Sequence, residues 1–218
     1  MKAVIFDMDG LMIDSERLYF EAQREIGHRF KRKVKDELLW KLMGRKPLES
    51  LEIFVLDLNL PLSPEQAKKM RDEIMREKMM NDLKPMPGLY HILDSLYGKL
   101  LLAVSTGAEQ EFLDITLDQL NIRNKFSVLQ ASDEIKIGKP NPEIFLVTCS
   151  KLGVAPEDSI ILEDSENGVR AGKNAGSYVI AVPSDYTRSH DFSAADFVAA
   201  DLFKAAEHIH EKFDLNHS

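Results

Sequence analysis

The stretch Ala3-Val4-Ile5-Phe6-Asp7-Met8-Asp9-Gly10 decides the fold class of this chain. Four apolar residues predict a short buried strand, and two carboxylates at positions i and i+2 follow it. Side chains two apart on a strand point to the same side, so we expect both carboxylates at the carboxyl end of a sheet, where α/β proteins bind ligands. Two carboxylates held close together predict a cation site, or a pair in which one member stays protonated. The glycine lets the backbone turn sharply beside a ligand.

Apolar runs of strand length recur along the rest of the chain and alternate with helical patterns. Continuous hydrophobicity is typical of parallel strands that are covered on both faces. The alternation predicts a doubly wound α/β sheet. The predicted strands are 3–6, 100–105, 127–130, 159–162 and 178–182, with a weaker sixth at 196–198. The predicted helices between and after them are 88–97, 108–121, 141–152, 166–175 and 201–212.

One region breaks the alternation. Residues 15–84 show helical periodicity and no strand pattern, with helices predicted at about 16–28, 35–43, 47–58 and 64–83. A segment of this size is too long for a loop, so we predict an all-helical domain inserted between the first and second strands. Residues 1–14 and 85–218 would then form the core domain, and residues 15–84 the insert.

Composition and net charge restrict which molecules the protein is expected to bind and in which cellular compartment it is expected to occur. A net charge of −8 argues against nucleic acid or an anionic membrane as the main partner. The single cysteine, Cys149, excludes an internal disulfide and is typical of a reducing compartment. No stretch approaches about 18 apolar residues, and the N-terminus lacks an apolar run of signal length. We therefore expect a soluble cytoplasmic protein, with a monomer as the default oligomeric state.

Polar residues follow four of the predicted strands or precede the next helix. After the first pair of aspartates come Ser105-Thr106-Gly107, whose hydroxyls and free amides at a helix start suit phosphate oxygens. Lys139, just before another helix, would add fixed positive charge where an anion sits. The carboxylates of Glu163 and Asp164 would join Asp7 in an all-oxygen site, which together with phosphate favours Mg²⁺.

These segments resemble the motifs of the haloacid dehalogenase superfamily, and the likeness covers essentially the whole chain. The chain is most similar to the beta-phosphoglucomutase-like group, which has a Rossmannoid core and a helical cap that acts as a mobile lid. It also looks like phosphatases of sugar phosphates and of pseudouridine 5′-phosphate. The matching segments are Phe6-Asp7-Met8-Asp9-Gly10, Ser105-Thr106, Gly138-Lys139-Pro140-Asn141-Pro142-Glu143 and Glu163-Asp164-Ser165-Glu166-Asn167-Gly168.

The resemblance implies a role for each of these residues. Asp7 is the nucleophile that takes up a phosphoryl group as an aspartyl phosphate. Asp9 first protonates the leaving oxygen and then activates water. The phosphoryl oxygens are held by Ser105, the Thr106 amide and Lys139. Mg²⁺ is bound by Asp7, the carbonyl of Asp9 and Asp164, with Glu163 as a ligand or as a partner of the ligands.

Single residues of the chain favour or disfavour the other reactions that members of the same superfamily catalyse. Dehalogenases lack the second aspartate, so Asp9 disfavours that activity. Phosphonatases need a lysine in the cap, and the cap has several, so that activity is disfavoured without being excluded. Related sugar-phosphate mutases carry a histidine in the first cap helix, where this chain has Tyr19. The departure favours hydrolysis over a phosphosugar mutase.

Two further expectations concern the insert and the site as a whole. Arg45 and Lys46, in a predicted turn of the cap, would contact the substrate, unless they form a solvent-facing basic loop. A non-catalytic binding module is the remaining alternative. The intact set of Asp7, Asp9, Lys139 and Asp164 argues against it, because clustered charge is costly to retain without a use.

Overall fold

The chain forms two compact units. In the computed structural model, residues 1–43 and 47–215 are described. One unit combines Met1–Asp14 with the chain from Lys84 onwards, and the other spans Ser15–Leu83. None of the described helices has both the length and the apolar character needed to cross a bilayer.

The core unit is built on a six-stranded parallel sheet, as the alternating pattern predicts. Every neighbouring pair of strands runs parallel, in the order β3-β2-β1-β4-β5-β6. This is the doubly wound order of Rossmann-type folds, so the predicted fold class is confirmed. The strands are β1 (Ala3–Phe6), β2 (Leu101–Ser105), β3 (Val128–Gln130), β4 (Ser159–Glu163), β5 (Tyr178–Ala181) and β6 (Phe197–Val198).

Strands β1 and β4 lie at the centre of the sheet and are buried along their whole length. Their continuous apolar sequences are explained by this position, because a central parallel strand has no face in water. Around the sheet, Ile5, Ile161 and Val179 pack in one apolar cluster with Phe145 and Cys149 from a helix. Cys149 is therefore a buried apolar residue, as the sequence predicts.

Nine α-helices occur among the described residues, four in the insert and five in the core. The insert is all-helical and comprises α1 (Ser15–Arg29), α2 (Asp36–Leu42), α3 (Pro47–Asp57) and α4 (Pro64–Asp82). The core helices are α5 (Leu89–Leu96), α6 (Gln110–Gln119), α7 (Glu143–Leu152), α8 (Glu166–Ala175) and α9 (Leu202–Lys212).

Local sequence signals explain where several helices begin and end. Helix α4 starts with a capping box, in which the Ser63 side chain accepts from the Gln66 amide and the Gln66 side chain accepts from the Ser63 amide. Helices α7 and α8 end at Gly153 and Gly176, both in the left-handed conformation that favours glycine. Within the insert, Leu18, Leu51, Phe54 and Ile74 form part of its buried apolar core.

Strand order also fixes where a ligand site can form. The chain builds β1, β2 and β3 outward on one side, then returns to place β4 on the other side of β1. At such a switch point, the loops after two neighbouring strands diverge and leave a crevice at the carboxyl edge. Asp7 follows β1, and Glu163 is the last residue of β4.

Candidate active site

Three carboxylates meet in the crevice between β1 and β4. One oxygen from each of Asp7, Glu163 and Asp164 lies within 4.8 Å of the others, and all three residues are buried. Their exposed fractions are only 6%, 1% and 3%. Buried carboxylates repel one another unless a cation compensates them, and all-oxygen donors suit a hard divalent metal. The cluster therefore has the chemistry of a divalent-metal site.

Lys139 supplies positive charge directly beside these carboxylates. Its Nζ donates to Asp7 Oδ1 and to Glu163 Oε1, both at 2.5 Å. The ion pairs are shielded from water, because only 14% of the Lys139 side chain is exposed. The sequence predicts Lys139 as a site residue because it precedes a helix. The structure brings its Nζ within hydrogen-bonding distance of Asp7 and Glu163, two other predicted site residues.

Asp7 and Lys139 are both buried, and the charge of each opposes the effect of burial on the pKa of the other. Burial raises the pKa of Asp7 well above its ordinary value, and the charges of Glu163 and Asp9 raise it further, while Lys139 lowers it. Burial alone would lower the pKa of Lys139, but Asp7 and Glu163 outweigh burial and raise it. Lys139 therefore stays protonated. A bound divalent cation would favour the ionised form of Asp7.

Both carboxylate oxygens of Glu163 already have partners within the protein. Oε1 accepts from Lys139, while Oε2 accepts from the Ser165 amide at 3.0 Å and the Ser165 hydroxyl at 2.9 Å. Ser165 also caps helix α8, since its hydroxyl accepts from the Gly168 amide. A Cβ at Gly168 would lie 1.8 Å from the Glu163 carboxylate, so only glycine leaves room here. The start of α8 thus holds Glu163 against Lys139.

Asp164 is enclosed by two residues from other loops. A Cβ at Gly10 would lie 2.2 Å from Asp164 Oδ2, and Gly10 has a φ of 76°. The glycine is needed both for the turn and for the close approach of the backbone to this carboxylate. On the β5 side, the Thr187 hydroxyl lies 3.4 Å from the same oxygen. Sequence reasoning missed Thr187, although it too follows a buried strand at the carboxyl edge of the sheet.

Asp9 and Thr106 are joined by a side-chain hydrogen bond. Thr106 Oγ1 donates to Asp9 Oδ2 at 3.2 Å and accepts from the Ala108 amide at 3.0 Å. The Thr106 amide differs from the expectation that it holds a phosphoryl oxygen. It donates instead to the Gln130 carbonyl at 2.9 Å, because it continues the pairing of β2 with β3. In this structure the hydroxyl, and not the amide, is the polar group of Thr106 that contacts a site residue.

Ser105 ends strand β2 and is fully buried. Its hydroxyl oxygen lies 3.2 Å from Thr148 Oγ1 of helix α7, whose hydroxyl also donates to the Ile144 carbonyl. Strand register places it level with the residue after β1, since Val104 pairs with Phe6. Ser105 is thus on the strand next to Asp7, and its side-chain hydroxyl contacts helix α7. Arg45 and Lys46, the predicted cap contacts, lie outside the described residues.

Comparison with known proteins agrees with the fold and with the predicted family. A family model described as haloacid dehalogenase-like hydrolase matches residues 4–182. The "Phosphorylated carbohydrates phosphatase" of Thermotoga maritima is 37% identical over 177 residues, which are 81% of this chain and 82% of that protein. The "Probable pseudouridine-5'-phosphatase" of Drosophila melanogaster is 34% identical over 97% of this chain and 93% of its own length.

A solved structure extends the similarity to the three-dimensional level. A provisionally named beta-phosphoglucomutase from Thermotoga maritima superposes with a TM-score of 0.81 at 32% identity, covering 98% of this chain and 99% of its own. The chain belongs to the haloacid dehalogenase-like hydrolase family. Its fold is similar to that of beta-phosphoglucomutase-like proteins, as the sequence motifs predict.

Proposed function

We propose that this phosphoric monoester hydrolase releases phosphate from a small phosphorylated metabolite, through an aspartyl phosphate on Asp7. The observation that carries the proposal is the buried contact of Asp7 with Lys139 at 2.5 Å, beside Glu163 and Asp164 at the switch point of the sheet. In-line phosphoryl transfer requires a positioned nucleophile and positive charge that neutralises the phosphoryl group. Asp7 and Lys139 provide both in one buried crevice.

In the first half-reaction, a carboxylate oxygen of Asp7 attacks phosphorus and the bond to the leaving oxygen breaks. Asp9 gives its proton to that oxygen, so the product leaves as a neutral alcohol. The hydrogen bond from the Thr106 hydroxyl supports this role, because it holds the Asp9 carboxyl group in place through Oδ2. Asp9 ends the step as a carboxylate.

In the second half-reaction, the Asp9 carboxylate takes a proton from water as the water oxygen attacks phosphorus. The bond between phosphorus and Asp7 breaks, which restores both aspartates and releases inorganic phosphate. Lys139 neutralises charge on Asp7 and on the phosphoryl oxygens throughout, while the Thr106 hydroxyl orients Asp9 through its hydrogen bond to Oδ2. Fixed charges of this kind act without reorganising during the reaction.

The metal is proposed to be Mg²⁺, with Asp7, the Asp9 carbonyl and Asp164 as its protein ligands. Bound there, Mg²⁺ would neutralise developing charge on the phosphoryl oxygens. The two hydrogen-bonded oxygens of Glu163 favour a role as the anchor of Lys139 over direct ligation.

The substrate class rests on the relatives, whose names point to phosphorylated carbohydrates and to pseudouridine 5′-phosphate. A sugar phosphate or a nucleotide-like monoester therefore fits best. Tyr19, at the place of the mutase-type histidine, favours hydrolysis over the mutase alternative, and the polar site favours catalysis over a pure binding module. We further propose a monomeric, cytoplasmic enzyme, in keeping with the single buried Cys149 and the acidic net charge.

The test is release of inorganic phosphate from an aryl phosphate and from a panel of sugar and nucleoside monophosphates, with and without Mg²⁺. Asp7→Asn should lose more than about a hundredfold in rate, which is the size of effect expected from one lost helper group. Asp114→Asn is the matched control, because Asp114 lies on α6 and pairs with Arg123. Turnover that survives Asp7→Asn would contradict the aspartyl-phosphate mechanism.

The same panel decides between hydrolase and mutase. Incubation with beta-glucose 1-phosphate and a catalytic amount of the bisphosphate should give inorganic phosphate. Efficient formation of glucose 6-phosphate would instead overturn the phosphatase proposal.

A further inference from the structure

The loop after strand β5 also reaches the site, in addition to the chain segments that carry Asp7, Thr106, Lys139 and Glu163. The turn is closed by two bonds: the Thr187 amide donates to the Ser184 carbonyl at 3.2 Å, and the Ser184 amide donates to Thr187 Oγ1 at 2.9 Å. Both residues are buried, with exposed fractions of 3% and 4%. The loop therefore presents a fixed hydroxyl to the crevice.

The same loop is also tied to the first residue of helix α8. The Glu166 amide donates to His190 Nδ1 at 3.4 Å, and the Asp191 amide donates to Glu166 Oε2 at 3.2 Å. At the other end, the Val182 amide donates to the Glu163 carbonyl at 2.7 Å. Asp164 lies between these two attachment points along the chain, so the loop is held against it from both sides.

The hydrogen bonds of Thr187 let its single proton point at Asp164. Oγ1 accepts the Ser184 amide and lies 3.1 Å from Ser184 Oγ, which can also donate to it. With Ser184 Oγ as the donor of that hydroxyl pair, the Thr187 hydroxyl donates to Asp164 Oδ2, 3.4 Å away. The contact is long, yet it lies in a buried site where a fixed donor orients a carboxylate.

Gly10 lies against the same oxygen, since a Cβ there would come within 2.2 Å of Oδ2. We infer that Thr187 is a positioning residue that, together with Gly10, fixes the Asp164 carboxylate in the orientation used to bind the divalent cation. The inference rests on the proposed metal-dependent function. Hydrogen bonds that orient metal ligands in this way contribute strongly to metal affinity in other proteins.

The test is the affinity of the substrate-free protein for Mg²⁺, measured by isothermal titration calorimetry. Thr187→Val keeps the shape of the side chain and removes the hydroxyl, so the Mg²⁺ dissociation constant should rise by roughly tenfold or more. The Mg²⁺ concentration needed for half-maximal phosphatase activity should rise in parallel. At saturating Mg²⁺, kcat should stay within about threefold of wild type, because the hydroxyl acts through the ligand and not on the substrate.

Two further variants separate positioning from general damage. Thr187→Ser retains the hydroxyl and should bind Mg²⁺ within about twofold of wild type; a loss as large as that of Thr187→Val would overturn the inference. Thr116→Val removes another fully buried threonine hydroxyl, on α6, and should leave Mg²⁺ affinity unchanged.

The outcomes also distinguish this inference from the proposed function. Wild-type turnover with unchanged Mg²⁺ affinity in Thr187→Val would overturn the positioning role and leave the phosphatase intact. A wild-type protein that neither binds Mg²⁺ nor depends on it would overturn both.

Discussion

At the residue scale, Asp9 differs from Asp7 in its surroundings. Asp7 is buried against Lys139, whereas Asp9 is partly exposed and accepts a hydrogen bond from the Thr106 hydroxyl. Two carboxylates with such different environments can serve as nucleophile and as acid or base. Only Met8 separates the two aspartates in sequence, and the difference between them comes from the two separate loops that contact them.

Asp9→Asn tests the acid role through the leaving group. The amide cannot give up a proton, so turnover should fall by about a hundredfold or more for alkyl phosphates, whose leaving oxygens need protonation. The loss of phosphorylation rate should be smaller for an aryl phosphate with an acidic leaving group. Single-turnover rates should be measured for both substrates, because the second half-reaction also uses Asp9. Equal losses of phosphorylation rate for the two substrates would count against the acid role.

At the scale of elements, the first turn of α8 links the helix to the catalytic crevice. Gly168→Ala would ordinarily favour a helix by about 0.5–1 kcal/mol. Here the added Cβ would lie 1.8 Å from the Glu163 carboxylate. We expect a net loss of about 1–3 kcal/mol in the free energy of unfolding, typical of overpacking, together with lower activity. Urea unfolding and the phosphatase assay measure the two effects.

Gly138→Ala is the control for this prediction, because no atom outside its chain neighbours lies within 4 Å of the added Cβ. It should leave the free energy of unfolding within about 0.5 kcal/mol of wild type, as for most surface changes. If Gly168→Ala is as stable and active as Gly138→Ala, then Glu163 does not depend on the space left by the glycine.

Another element-scale prediction concerns the packing of α9 on β5 and β6. His208 stacks on Phe197 with ring centroids 3.7 Å apart, and its Nε2 lies 2.9 Å from the Tyr178 hydroxyl. Burial, and then the charge of Lys212, lower the pKa of His208. The folded protein thus favours the neutral ring, and the stability it contributes is present above the unfolded pKa of about 6.5 and is lost as pH falls through the folded pKa.

The variant His208→Phe keeps an aromatic ring and removes this titration. Between about pH 7.5 and pH 5, the melting temperature of wild type should fall more than that of the variant. Differential scanning calorimetry across this range measures the difference. Parallel pH dependences would mean that the protonation of His208 does not affect folding.

At the scale of the whole molecule, charge is divided unevenly between the two units. Residues 15–83 contain 15 Lys and Arg against 13 Asp and Glu, whereas the rest of the chain contains 13 against 23. Formal net charges of +2 and −10 follow, which add to the −8 of the whole chain. The negative charge of the chain is therefore carried by the core unit, while the insert is close to neutral.

The double variant Arg45→Ala with Lys46→Ala tests the proposed cap contacts. KM for the best natural phosphate ester should rise by about tenfold, since removing substrate contacts weakens binding. KM for a small aryl phosphate should change little, because its contacts would lie in the core. The surface pair Lys68→Ala with Lys69→Ala removes the same charge from helix α4 and serves as the control. Equal effects on both substrates, or none, would show that the cap recognises its substrate through other residues.

Sequence alone determined the α/β class, the parallel strands and the positions of the nine helices, mostly to within one or two residues. The physical reason is local: apolar runs of strand length, helical periodicity and capping residues depend on neighbours along the chain. The motifs also predicted a site from residues at the carboxyl edge of the sheet, each at the end of a buried strand or just before a helix: Asp7, Asp9, Lys139, Glu163 and Asp164.

Tertiary structure decided how those residues are used. That Lys139 bridges Asp7 and Glu163, that the Thr106 amide serves the sheet while its hydroxyl contacts Asp9, and that Thr187 reaches Asp164 are contacts between distant parts of the chain. Strand order and register set these distances, and hydrogen-bond partners are then chosen by proximity and by which donors remain unpaired. A sequence pattern specifies which groups arrive at the sheet edge, and the packed fold specifies which atoms meet there.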